Sequence, residues 1–387
     1  MKQMLRWLGR IMLALVLGAV VVGLWKREEL VRVWTVITLF EEDRIVCNFM
    51  NMDDAFLNVP VPRGDGPVSP LARGEAMQLP EGIDAWIEDR ALTSLLVLKD
   101  GEIRYEEYFK GTGPDDLRIS WSLAKSYLSA LVGILVDEGA IASLDAPVTD
   151  FAPGLIGSGY DGATIRNVLR MSSGVIFDED YLDFHSDIQR MGRIVALGGK
   201  LDDFSASFPE RFAEPGEEWQ YVSIDTHVIG MVIRGATGRT VTELMAEKII
   251  APLGLERDGF YITDGAGTAF VLGGLNFTTR DYARFGVMMQ QDGLYGGRQV
   301  VPAEWVAEST AASARTQPGK YGYGYQWWIP VGAEPGEFLG RGIYGQYLYI
   351  DRHRGVVIVV TSADRRFREP GRDAANIEKL REIARSL

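Results

Sequence analysis

Strand-like runs lie at both ends of the chain and are scarce between them. Residues 93–99 and 102–109 are rich in leucine, β-branched and aromatic side chains and flank Asp100-Gly101, a dipeptide suited to the tight turn of a β-hairpin. Residues 347–351 and 356–361 have the same character. Between them, from 145 to 259, the pattern is mainly helical and punctuated by Gly, Pro and Asp, most clearly over 164–171 and 224–235. Helical patterns at 280–292 and 302–312 and an amphipathic one at 373–386 complete the chain. Early and late strands must therefore meet in one sheet. The spacing predicts a mixed α/β (α+β) fold: an antiparallel sheet flanked by helices, with a mostly helical insertion over roughly 126–260. A pocket is expected where the two parts join.

A chain of 387 residues can bury a substantial core, as one large domain or two interleaved ones. Its net charge of −13 argues against a nucleic-acid partner. The single cysteine, Cys47, excludes an intrachain disulfide, and His185, His227 and His353 stand in no metal-ligand spacing. No metal and no cofactor is expected. Lys2, Arg6 and Arg10 precede an apolar run over 11–25, which Lys26 and Arg27 close. This layout reads as an inner-membrane anchor over residues 1–28 with the remainder on the periplasmic side. A cleaved secretion signal is the alternative. Residues 29–82, a second apolar stretch followed by Pro- and Gly-rich sequence, read as a stalk, and 83–387 as the globular domain.

Ser122-Leu123-Ala124-Lys125 opens a long, mostly apolar run over 126–136. Positions three apart share a helix face, so the Ser122 hydroxyl and the Lys125 amine point into the same space. Ser122 sits at the helix start, among unpaired N–H groups and the positive end of the dipole. A serine there can attack a carbonyl, and a lysine one turn on can take its proton if its pKa is lowered. Alone, the pair also fits a capping serine and a solvated lysine. A G-x-S-x-G elbow is absent, and none of the three histidines stands in a recognisable catalytic context. Lysine remains as the base. Tyr221-Val222-Ser223 follows a Pro215-Gly216 turn and precedes a helix that Ser223 can cap. Held there, the Tyr221 phenol can relay a proton, or simply pack at the start of the helix.

Ser122-x-x-Lys125, followed about a hundred residues later by Tyr221-x-Ser223, resembles the class C branch of the serine β-lactamase and penicillin-binding-protein superfamily. The connecting sequence agrees at Leu169-Arg170-Met171-Ser172-Ser173-Gly174-Val175, Pro252-Leu253-Gly254-Leu255, Gly273-Gly274-Leu275-Asn276 and Arg280-Asp281-Tyr282-Ala283-Arg284-Phe285-Gly286. The resemblance covers roughly residues 83–385. Within the superfamily the chain is most similar to the carboxylesterase and 6-aminohexanoate-oligomer hydrolase branch. That likeness rests on Asp178-Glu179-Asp180-Tyr181, Tyr325-Gln326-Trp327-Trp328 and Gly342-Ile343-Tyr344-Gly345-Gln346.

The resemblance implies Ser122, Lys125 and Tyr221 as catalytic groups and the backbone N–H groups of Ser122 and Ile343 as an oxyanion hole. It also implies Tyr181, Asn276 and Trp327 as substrate contacts. Two departures stand out. Ser223 replaces the asparagine of the Tyr-x-Asn motif, and the third motif survives only as Gly340-Arg341-Gly342, with its cation at the second position. Both point away from β-lactam hydrolysis. The implied activity is cleavage of a small-molecule ester or amide through an acyl-enzyme on Ser122. The alternatives are a D-alanyl-D-alanine peptidase or β-lactamase, and a non-catalytic peptidoglycan-binding or sensor module.

Overall fold

The computed structural model describes residues 2–387, and Met1 lies outside the described residues. Helix α1 (Lys2–Trp25) contains a 20-residue stretch, Arg6–Trp25, long and apolar enough to be a signal peptide or a membrane anchor. One residue, Lys26, separates it from α2 (Arg27–Ile37). Residues 29–82, expected to be a stalk, are instead built into the domain from Thr38 onward. Leu39, Ile45, Phe49, Met52, Ala55, Phe56 and Val61 join the main core, and Asn58–Val61 pairs antiparallel with Gly259–Ile262. The helices there are only four to six residues long, too short for a periodic signal. Their burial comes from sequence partners far away.

Five further helices position the site: α3 (Ala124–Asp137), α4 (Asp187–Ala196), α5 (Ser223–Thr237), α6 (Thr279–Gln290) and α7 (Arg372–Arg385). The main sheet contains β1 (Leu92–Lys99), β2 (Glu102–Tyr108), β3 (Gly322–Tyr323), β4 (Trp328–Ile329), β5 (Glu337–Gly342), β6 (Gln346–Asp351) and β7 (Val356–Ser362). Every pairing is antiparallel, in the spatial order β2-β1-β7-β6-β5-β4-β3. The hairpin turn has positive φ at both Asp100 (51°) and Gly101 (82°), a primed turn whose twist matches the strands. Early and late strands meet, with Leu95 opposite Val360.

Alternate residues face opposite sides. Leu95, Val97, Ile358 and Val360 pack with Ile377 and Leu380 of α7, while Leu96, Leu98, Val357 and Val359 enter the main core with α3 and α6. A second sheet of four antiparallel strands has the order Asn58–Val61, Gly259–Ile262, Leu275–Phe277, Arg118–Ile119. These strands are too short to alternate legibly. The last of them leads directly into the turn that carries Ser122.

Candidate active site

Ser120 N–H donates to Leu275 O at 2.8 Å, tying the end of the small sheet down. The chain then makes a single 3₁₀ turn, Trp121–Leu123, and enters α3. Trp121 is left-handed, with φ of 43°, a conformation costing a non-glycine residue about 1–3 kcal/mol unless its surroundings enforce it. Here they do. The Trp121 ring lies 5.5 Å from Phe49 and 6.1 Å from Phe40, centroid to centroid. Ser122 is thus presented to a cavity of about 530 Å³, lined also by Glu179, Tyr181, Tyr221, Trp328 and Arg341.

Lys125 is 1% exposed. Its Nζ lies 2.9 Å from Ser122 Oγ, 3.3 Å from Ser223 Oγ and 2.8 Å from the Leu272 carbonyl. Burial lowers its pKa to about 7, against the opposing pull of the Glu179 carboxylate. A neutral amine has two N–H donors and one lone pair. Leu272 O can only accept and Ser223 Oγ can accept, so the lone pair is left for the Ser122 O–H.

Ser223 does not cap its helix through its side chain. The Glu179 carboxylate takes the Ser223 N–H instead, where the dipole of α5 favours a negative charge. That leaves the Ser223 hydroxyl for Lys125. Burial pushes the Glu179 carboxyl up, and Lys125 and Ser223 draw it down. Its Oε2 is buried without a hydrogen-bond partner.

The Tyr221 ring lies 5.1 Å from that of Trp328, tilted by 30°, and Lys125 Nζ lies 5.3 Å from the Tyr221 ring centre. Burial raises the phenol's pKa, and so does Glu179, while hydrogen bonding to Ser122 and Ser223 and the charge of Arg341 lower it. β5 passes directly over the nucleophile turn. A Cβ added at Gly342 would lie 2.5 Å from Ser120 O and 3.1 Å from Ser122 N, and one at Gly340 would lie 2.4 Å from Leu123 Cδ1. Gly342 is therefore demanded by closeness to backbone, while Gly340 lies against the Leu123 side chain. Arg341, on the other face, pairs with Asp373 at 2.8 Å and lies 4.5 Å over Trp328. Among the described residues no loop, turn or cap hydrogen bond occupies the N–H of Ser122 or of Ile343, and both residues line the cavity. Tyr344, next to Ile343, is left-handed (φ 59°) and stacks at 4.9 Å on Phe40.

Tyr181, expected to meet substrate, lines the cavity beside Ser122. The other two expected contacts are corrected. Trp327 is fully buried between Phe285 and Phe338, and its neighbour Trp328 faces the cavity. Asn276 is buried in the small sheet, its amide donating to Gly274 O at 2.9 Å. For Trp327 the error is one of facing, because adjacent residues in extended chain point opposite ways, whereas Asn276 lies in a strand buried at all three of its residues. Glu179 is the residue sequence reasoning undervalued. It stands in an acidic run, Asp178-Glu179-Asp180, and only the tertiary fold tells it from its exposed neighbours. Among the described residues no group of three or more His, Cys, Asp or Glu is placed to hold a metal ion.

An antiparallel sheet flanked by helices, with a serine and a buried lysine at the start of α3, defines a β-lactamase-like fold. A family model described as beta-lactamase matches residues 85–382, and the chain belongs to that family. The 6-aminohexanoate-dimer hydrolase of Paenarthrobacter ureafaciens is 33% identical over 313 residues, which is 77% of this chain and 79% of that one. Esterase EstB of Burkholderia gladioli is 30% identical over 208 residues, 48% of this chain and 51% of its own. A solved Bacillus anthracis structure, named for 6-aminohexanoate-dimer hydrolase, superposes with a TM-score of 0.80 at 23% identity, over 89% of this chain and 95% of that one. The last is a likeness of fold. The family is one of hydrolases, and these two sequence relatives are by name a 6-aminohexanoate-dimer hydrolase and an esterase.

Proposed function

We propose that the protein is a serine hydrolase that cleaves an ester or amide of a small molecule through an acyl-enzyme on Ser122. The observation that carries this reading is the buried Lys125 amine, 2.9 Å from Ser122 Oγ, with its pKa brought to about 7. Neutral Lys125 takes the Ser122 proton as Oγ bonds to the substrate carbonyl carbon. The oxyanion is held by the N–H groups of Ser122 and Ile343. Collapse breaks the bond to the alcohol or amine, which leaves with a proton passed through Tyr221 or Lys125. Water then attacks the acyl carbon, and Ser122 regains its proton. A fluorophosphonate probe is expected to add one phosphonyl group, and peptide mass mapping should place it on Ser122. An adduct elsewhere, or none, would mean that Ser122 is not the nucleophile.

The same reading has a pH signature. Only the neutral amine is a base, so kcat/KM is expected to rise with pH through about 7 and then level off. Glu179 raises the Lys125 pKa. Glu179→Gln removes that charge and is expected to move the rising limb to lower pH. A limb that stays put or moves up would take Glu179 out of this role.

We also infer that α1 is a retained membrane anchor and that the domain lies on its periplasmic side. Support comes from the near-continuous passage of α1 into α2, with Lys26 N–H donating to Val22 O and Leu30 N–H to Lys26 O.

A further inference from the structure

Helix α2 carries an apolar stripe left exposed by the described residues. Leu30, Trp34 and Ile37 are 56%, 56% and 69% exposed, at the i, i+4, i+7 spacing of one helix face. Val36, on the inner side, packs against the core. The helix is anchored at its far end by Phe40, whose ring begins a ladder into the cavity wall. Phe40 stacks on Tyr344 at 4.9 Å, Tyr344 meets Phe367 at 4.6 Å, and Phe367 meets Tyr181 at 6.3 Å. Tyr181 and Phe367 both line the cavity that holds Ser122.

A second exposed apolar group sits on that rim. Leu182 and Phe184 directly follow Tyr181 and are 73% and 64% exposed. They lead into α4, against which α2 packs. Two of these aromatic side chains each carry an arginine. Arg44 lies 5.7 Å from the Trp34 ring centre and Arg193 4.1 Å from that of Phe184. Aromatic rings paired with guanidinium groups suit the headgroup layer of a bilayer, where one side is apolar and the other holds phosphates. The stripe is also continuous, across Lys26 alone, with the helix long and apolar enough to cross a membrane.

We propose that α2 and the Leu182–Phe184 rim lie in the headgroup layer of the bilayer that α1 enters, so that the cavity opens against the membrane. The substrate is then an amphiphile, an ester or amide whose hydrocarbon part stays in the bilayer while its carbonyl reaches Ser122. The first statement rests on the retained-anchor reading of α1, and the second rests on the serine hydrolase reading as well.

The test uses the full chain in nanodiscs of phosphatidylcholine and phosphatidylglycerol. A nitroxide at Ile37→Cys, in a Cys47→Ser background, is expected to be more accessible to oxygen than to a water-soluble nickel complex. Leu30→Glu, Trp34→Glu and Ile37→Glu combined should lower turnover of p-nitrophenyl palmitate in the discs at least about tenfold, equivalent to about 1.4 kcal/mol. Turnover of p-nitrophenyl acetate from water should be unchanged. Because α1 still holds the variant to the disc, the loss reports how the domain is seated. A nickel-accessible label would overturn the docking, as would one shielded from both reagents by a second copy of the chain. Equal effects on the two esters, or none, would overturn the membrane-drawn substrate. If the native chain turned over neither ester, the hydrolase reading and the substrate class would fall together, while the label would still decide the docking.

Discussion

Lys125→Ala is expected to lower kcat/KM toward an activated ester by about 10³–10⁴-fold, the upper part of what a positioned general base supplies. Among the described residues its amine is the one basic side chain within hydrogen-bond distance of Ser122 Oγ, at 2.9 Å. Tyr221, the other neighbour, has a phenol pKa raised by burial, so it is a poor base near neutral pH. Lys125→Arg keeps length and positive charge but cannot give up its proton at these pH values. It should lose nearly as much, and the limb near pH 7 should vanish in both variants. The rate of fluorophosphonate inactivation reads the same step without leaving-group chemistry and should fall in parallel. If the arginine variant kept more than about a tenth of the native rate, proton abstraction by Lys125 would be ruled out as a main contribution.

Gly342→Val should cost about 10²–10³-fold in kcat, the range for disabling one oxyanion donor, with KM changed far less. A Cβ there meets Ser120 O at 2.5 Å and Ser122 N at 3.1 Å, so β5 must retreat from the nucleophile turn. Ile343 N–H moves with it, and the two donors separate. Trp121 and Tyr344, each left-handed and each adjacent to one donor, are held by contacts to Phe40 and Phe49. That aromatic support lies outside the substituted strand and should keep the variant folded. Thermal unfolding separates the outcomes. A melting point within a few degrees of native with kcat reduced supports the oxyanion role, whereas native kcat would refute it.

Much of this was legible beforehand where a local pattern had enough residues to speak. The Asp100-Gly101 hairpin, the late strands over 347–351 and 356–361 and the helix over 224–235 all appear close to their expected bounds. The Ser122–Lys125 pair is legible because one helical turn relates them, so spacing alone brings hydroxyl and amine together. Residues 38–61 were illegible for the converse reason. Their helices and strand are a few residues long, and what orders them is contact with Trp121, Tyr344 and Gly259–Ile262, far along the chain.

By itself the sequence determined which residue types could do chemistry, and that the first and last strands had to meet. Periodicity and helical spacing are properties of neighbours in the chain, and they survive without a tertiary fold. The tertiary structure decided which side chains face the cavity, admitting Trp328 and excluding Trp327 and Asn276. It also decided that a glutamate from an acidic run, Glu179, takes the α5 N–H and so leaves Ser223 free to hold Lys125. Above all it decided the state of Lys125. The lowering of its pKa comes from burial beside Leu272 and Ser223, against the opposing pull of Glu179, groups between 54 and 147 positions away, and desolvation belongs to a folded environment that no spacing along the chain encodes.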